Sequence, residues 1–310
     1  MIDPASLFQP EEHIDLRTVR ARTLLVTLTS FIDAGHSQHL IDQHLLDTFP
    51  HHLLGKFDVD ELIDYRGQRP VLIFDTDKFI EYQQPTIELH HLVDESGVPF
   101  LLLKGVEPDL RWEKLITSIR RVLEQTSIER IVLTSAIPMP VPHTRPIAIT
   151  RHASSPDLIP GNVPMFARMS TGASFPSLLE YRLAEAGLQV IGLTAHVPHY
   201  LAQSEFPDGA IALVKAFSQA TGHTIPTTEL AVRAGIARAQ IANEVEGSEE
   251  ASGLVRALEE QFDSFQEQRQ NGPRLSATHE DLPTGDDIAA EAEAFLRAHG
   301  GADEDKGGLE

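Results

Sequence analysis

The run Thr23-Leu-Leu-Val-Thr-Leu-Thr29 constrains this chain most. It is continuous in leucine and β-branched residues rather than alternating, so it predicts a strand buried on both faces. Such a strand needs helices on both sides. One follows at once: after the loop Thr29–Gly35, a helical pattern buries Leu40, Ile41, Leu45 and Phe49. The same alternation returns later, with strands at 131–134, 147–150 and 190–194 and helices at 110–124, 175–186, 209–221 and 228–242. This pattern predicts an α/β architecture with a mixed sheet. Between Phe57 and Phe100 the rhythm breaks. Strand patterns at 71–75, 86–92 and 98–103 follow one another without a strong helix, which predicts an antiparallel or mixed insertion.

The helix 110–124 places Trp112, Leu115, Ile116, Ile119, Val122 and Leu123 on one face, with Asp109 as the expected N-cap. Helix 175–186 has Ser174 before it, Pro176 in its first turn and Gly187 as its stop. Residues 1–242 thus read as one α/β body. A helical appendage, 243–270, follows. Its apolar positions Leu254, Leu258, Phe262 and Phe265 form a narrow seam suited to one partner helix. Residues 271–310 read as an acidic linker and disordered tail, interrupted by a short amphipathic segment with Ile288, Ala292, Phe295 and Leu296.

Charge sharpens this division. The formal net charge is −21, and Asn243–Glu310 alone holds 18 acidic and 5 basic residues. An excess of that sign opposes nucleic acid and anionic lipid and favours a basic protein partner. No apolar run is long enough to span a bilayer, and no signal peptide opens the chain, so the expected location is the cytoplasm without membrane insertion. The absence of cysteine removes disulfides, thiolate metal sites and a cysteine nucleophile together.

Fifteen histidines raise the question of a metal. His39 and His44 are five apart and miss a common helical face, while His90 and His91 are adjacent on a strand and point to opposite faces. No metal or cofactor is expected. Neither a Walker loop nor a Gly-x-Gly-x-x-Gly run occurs, and no serine sits in a nucleophile elbow, so no catalytic residue is assigned.

The remaining candidates are loops at the carboxyl ends of strands, where open α/β sheets bind ligands. Asp33 and Gly35 form a strand-to-helix turn that either binds a ligand or permits close packing. Arg66 and Arg69 flank a glycine turn and either clamp an anion or form surface ion pairs. Lys104, Glu107 and Arg111 lie in a loop that is either a site or a charged cap. His143, Arg145 and His199 sit on Pro-rich loops that converge if they share one rim.

Five phrases occur together: Phe31-Ile-Asp-Ala-Gly35, Asp64-Tyr-Arg-Gly-Gln-Arg-Pro70, Leu103-Lys-Gly-Val-Glu-Pro-Asp-Leu-Arg-Trp112, His143-Thr-Arg-Pro146 and Val197-Pro-His-Tyr-Leu201. In this order they resemble the actinobacterial branch of the proteasome assembly chaperone family, over residues 20 to 240. The resemblance implies a three-layer α/β/α sandwich resembling the phosphorylase/hydrolase-like fold, with a helical C-terminal extension. It also implies self-association as a dimer or trimer and binding to a protein partner. Eukaryotic members dock through a C-terminal hydrophobic–Tyr–X tail, whereas this chain ends Lys306-Gly-Gly-Leu-Glu310. The expected function is a noncatalytic, assembly-chaperone-like scaffold. The alternative is an enzyme or small-molecule sensor with a phosphorylase-like pocket at the sheet rim.

Overall fold

Thr23–Thr29 does form a strand, β2, and every residue from Thr23 to Leu28 is buried. The computed structural model describes residues 6–29, 32–165, 168 and 170–270. Around β2 assemble β1 (Phe8–Pro10), β3 (His51–Phe57), β6 (Ile87–Val93), β7 (Pro99–Val106), β8 (Arg130–Met139), β9 (Ile149–Ala153) and β10 (Gln189–Pro198). They form one mixed sheet in the order β1-β3-β6-β7-β2-β8-β10-β9. Its centre, β7-β2-β8-β10, is parallel, and antiparallel strands extend it on both sides.

Two apolar clusters, one per sheet face, make the layers. On one face Leu25, Leu102, Val132 and Ile191 pack against α1 (Ser37–Thr48), α4 (Pro207–Thr221) and α5 (Thr228–Glu246). On the other, Leu24, Val26, Leu101 and Ile131 pack against α2 (Trp112–Gln125) and α3 (Phe175–Glu185). The architecture is a three-layer α/β/α sandwich. The helix α6 (Glu249–Gln270) follows α5. The described chain divides into two units, one ending at Glu259 and the other beginning at Glu260. The linker expected from Asn271, the amphipathic segment at Ile288–Leu296 and the tail lie outside the described residues.

The insertion expected between Phe57 and Phe100 has two parts. β6 joins the main sheet, while β4 (Leu72–Asp75) and β5 (Lys78–Tyr82) pair only with each other in a two-stranded sheet. Some boundaries differ from the sequence reading. β8 and β10 run to Met139 and Pro198, so His196 lies within a strand. Asp109 does not cap α2. Its carboxylate is taken by Asp64 N–H at 2.7 Å and Gln68 Nε2 at 2.8 Å, and the N-cap position is Arg111, in the left-handed region at φ 59°.

The centre of the sheet also opens. β2 pairs with β7 as far as Thr29↔Val106, but with β8 only as far as Val26↔Leu133. The buried amide of Gln38 fills this gap, its Nε2 donating to Leu28 O at 3.3 Å and Thr134 O at 2.8 Å. A side chain thus replaces the missing ladder bonds.

Candidate functional site

The carboxyl ends of β2, β7, β8 and β10 form the rim on which the candidate residues were expected. After β2, Gly35 adopts φ 68° and exchanges backbone hydrogen bonds with the segment before α4: its N–H donates to Ala202 O at 3.0 Å and its O accepts from Phe206 N at 2.9 Å. A Cβ there would lie 2.9 Å from Phe206 Cβ, so glycine is needed for both conformation and space. The Asp33 carboxylate accepts from Gln38 N at 2.9 Å and His39 N at 3.2 Å, at the start of α1. It occupies the place an anionic ligand would take at that helix N-terminus. Burial pushes the Asp33 carboxyl above the usual range despite these bonds.

Lys104 belongs to a polar row that crosses the same sheet face. Register aligns Lys56 with Glu88, Glu88 with Lys104 and Lys104 with Thr27. The Glu88 carboxylate is 3.0 Å from His90 Nε2, 3.1 Å from Lys56 Nζ and 3.7 Å from Lys104 Nζ. The His90 hydrogen bond, with the two lysines, holds it down to about 2. At the end of the row Thr27 Oγ1 donates to Asp42 of α1 at 2.5 Å. Burial pushes Asp42 up to about 7, and Lys104 and Asp33 both act on it. The structure therefore brings Asp33 and Lys104 into one charged neighbourhood through Asp42. Sequence reasoning missed Asp42. Its signal is positional: Gln38, Asp42 and Leu45 share the buried side of α1, so an acid there faces the sheet.

Glu107 and Arg111 attach to the opposite layer. Glu107 Oε1 accepts the backbone N–H of Phe175 at 2.5 Å, at the N-terminus of α3, and Phe175 packs against Trp112. Arg111 pairs with Glu61. Gln68 donates to Glu107 O at 3.3 Å, so the Asp64–Pro70 segment and the Lys104–Glu113 loop do meet. Arg66 and Arg69 stand exposed on the turn before β4.

Beyond β8 and β10, His143 N–H donates to Tyr200 Oη at 2.9 Å, and the same hydroxyl lies 2.8 Å from His143 Nδ1. Burial lowers the His143 imidazole. Arg145 Nη1 lies 3.1 Å from Glu259 Oε1 of α6, which also accepts from Thr144 Oγ1. His199 is exposed, with its ring edge-on to Tyr200 at 5.5 Å. Tyr200 and Glu259 were not anticipated, because both meet their partners across long sequence separations. In the proposed seam of α6, Leu258 is buried beside Val255, whereas Leu254 is 40% exposed. In the second unit Phe265 is 45% exposed and Phe262 is partly buried.

The ten rim candidates thus divide among three neighbourhoods and line none of the four cavities described for this chain. Among the described residues, no group of three or more acidic or histidine side chains could hold a metal.

The apolar hairpin β4–β5 is a different kind of surface. Val71, Leu72, Ile73, Phe74, Phe79, Ile80 and Tyr82 are between 36% and 65% exposed. Phe74 opposes Phe79 in register, with ring centroids 5.2 Å apart. Exposed apolar side chains clustered in this way are uncommon on a monomeric protein surface.

The fold and these contacts define a three-layer α/β/α protein bearing an apolar hairpin inserted between two sheet strands. Residues 27–245 match the PAC2 family model, and the chain belongs to that family. A Mycobacterium tuberculosis protein of unknown function is 37% identical, with a TM-score of 0.82 over 86% of this chain and 91% of that one. A Corynebacterium glutamicum protein of unknown function is 34% identical, with a TM-score of 0.77 over 83% and 97%. A Mycobacterium tuberculosis proteasome-assembly chaperone homologue shares the fold at 21% identity, with a TM-score of 0.69 over 75% and 99%. No curated protein sequence matches the chain. No helix among the described residues is long and apolar enough to cross a membrane.

Proposed function

We propose that this protein is a noncatalytic, assembly-chaperone-like scaffold of the cytoplasm that self-associates, as a dimer or trimer, through the β4–β5 hairpin. The observation that carries this reading is the exposure of seven apolar side chains, six on one small two-stranded sheet and Val71 immediately before it. Fully burying one large apolar side chain is worth about 1.5–3 kcal/mol. Even at half that value, seven of them supply a driving force comparable to the cost of association. Membership in the PAC2 family supports the chaperone-like role, and the M. tuberculosis protein described as a proteasome-assembly chaperone homologue supports a protein as the partner. The acidic C-terminal third favours a basic surface on that partner.

Light scattering after gel filtration tests the self-association. The native chain should run as a closed oligomer at micromolar concentration, and Phe74→Asp with Phe79→Asp should run as a monomer with an unchanged circular dichroism spectrum. A monomeric native chain, or a doubly substituted chain that keeps the oligomer, would overturn the proposal.

A further inference from the structure

At the amino end of the sheet, opposite the rim, lies a cavity of about 750 Å³. That volume falls within the range of small-molecule sites. Its lining includes Arg20, Arg22, Thr23, Ser127, Thr221 and His223. In a chain carrying −21, this lining sets two arginines, Arg20 and Arg22, against one acid, Glu129, so the wall is net basic against the trend of the molecule.

His223 is the built part of this wall. Its side chain is 4% exposed, and Nδ1 lies 2.8 Å from Asp94 Oδ2. Asp94 is itself fixed by the backbone N–H groups of Ser96, Val98 and Thr224 at 2.9, 2.8 and 3.1 Å. The ring stacks on Phe217 at 5.6 Å and packs against Phe100 at 5.0 Å. With Nδ1 committed to Asp94, Nε2 is the ring's remaining polar atom, and among the described residues it has no hydrogen-bond partner. An imidazole so oriented presents one defined polar edge.

The charges around it are arranged for an anion. Arg22 faces Glu129 at 3.7 Å, but these side chains are 81% and 62% exposed, a pairing water largely screens. Arg20 Nη1 donates to Arg17 O at 2.8 Å, which positions its guanidinium. The C-terminus of α4 points toward the same end of the sheet and would oppose an anion. Arg130 Nη1 offsets it by donating to Ala220 O at 2.8 Å. Hydroxyls of Thr23 and Ser127 also line the cavity, while that of Thr221 donates to Phe217 O at 2.7 Å.

The geometry points to a binding site for a small phosphate-bearing molecule, its phosphate held by Arg20 and Arg22, with His223 Nε2 accepting from a ligand O–H because its Nδ1–H donates to Asp94. Inorganic phosphate is the probe, applied to the full chain in thermal unfolding against chloride at matched ionic strength. A site with Kd of about 1 mM, probed at about 10 mM, should raise Tm by roughly 3 °C. Arg20→Gln with Arg22→Gln, both at exposed positions, should fold normally and lose the rise. Either no rise in the native chain or an equal rise in the doubly substituted chain would overturn the site.

Discussion

Replacing Asp42 with Asn isolates one proton in the core. Asp42 is buried, accepts from Thr27 Oγ1 and titrates at about 7 against an ordinary 3.8. Below pH 4 the carboxyl is protonated in both folded and unfolded chains and contributes no pH dependence. Between pH 4 and 7 the unfolded chain releases the proton while the folded chain keeps it, so stability falls by about 1.4 kcal/mol per pH unit. Above pH 7 the folded chain also ionises and the loss levels off. A shift from 3.8 to about 7 corresponds to a total of roughly 4 kcal/mol. Asn keeps an oxygen to accept from Thr27 and has no proton to lose. Urea unfolding at one protein concentration, from pH 4.5 to 8, should show the native chain losing ground steadily to Asp42→Asn. Titrations common to both chains cancel in the difference. A stability difference constant to within about 0.5 kcal/mol over that range would refute the reasoning.

Two backbone positions make sharper predictions about packing. Gly35→Ala must adopt φ 68° and set a methyl 2.9 Å from Phe206 Cβ, which should cost about 2–4 kcal/mol in urea unfolding; a cost below about 1 kcal/mol would show that the turn moves freely. Gly192→Ala would place a Cβ 2.0 Å from the His152 ring, displacing a ring whose Nδ1 lies 2.7 Å from Glu180. That change should destabilise, and adding His152→Ala should restore most of the loss, an interaction a double-mutant cycle measures directly.

Much of the fold was legible because its strands are buried on both faces. Continuous apolar runs at Thr23–Thr29 and Ile131–Thr134 have no competing reading, and the six apolar residues assigned to α2 all face inward or pack against the core. Ser174 before α3 forms the capping box its sequence allows. What failed depends on distant groups. β3 was hidden because His51, His52 and Lys56 are exposed and Gly55 breaks the alternation at a register shift. The N-cap of α2 was misread because Asp64 and Gln68, more than forty residues away, claim Asp109. The strand character of 71–75 was readable, but its apolar pattern cannot say whether a core or another molecule covers it. Of the candidate site, the meeting of residues 64–68 with 107–109 was implied only by their shared chemistry, and Asp42 was absent because its acid reads as one more polar helix residue.

The contacts at the rim and on the hairpin argue in the same direction. An anion approaching the start of α1 would have to displace Asp33, and one approaching α3 would have to displace Glu107. His143 is joined to Tyr200, and Arg145 to Glu259. Each of these groups gains in its own chain the hydrogen bond or charge that a substrate would have to replace, so ligand binding there begins with a desolvation and exchange cost. The hairpin has the opposite balance. Its backbone is paired within the hairpin, while its large side chains remain open to water, and covering them removes apolar surface without breaking any of its ladder bonds. Association through β4–β5 is therefore favoured over chemistry at the strand ends.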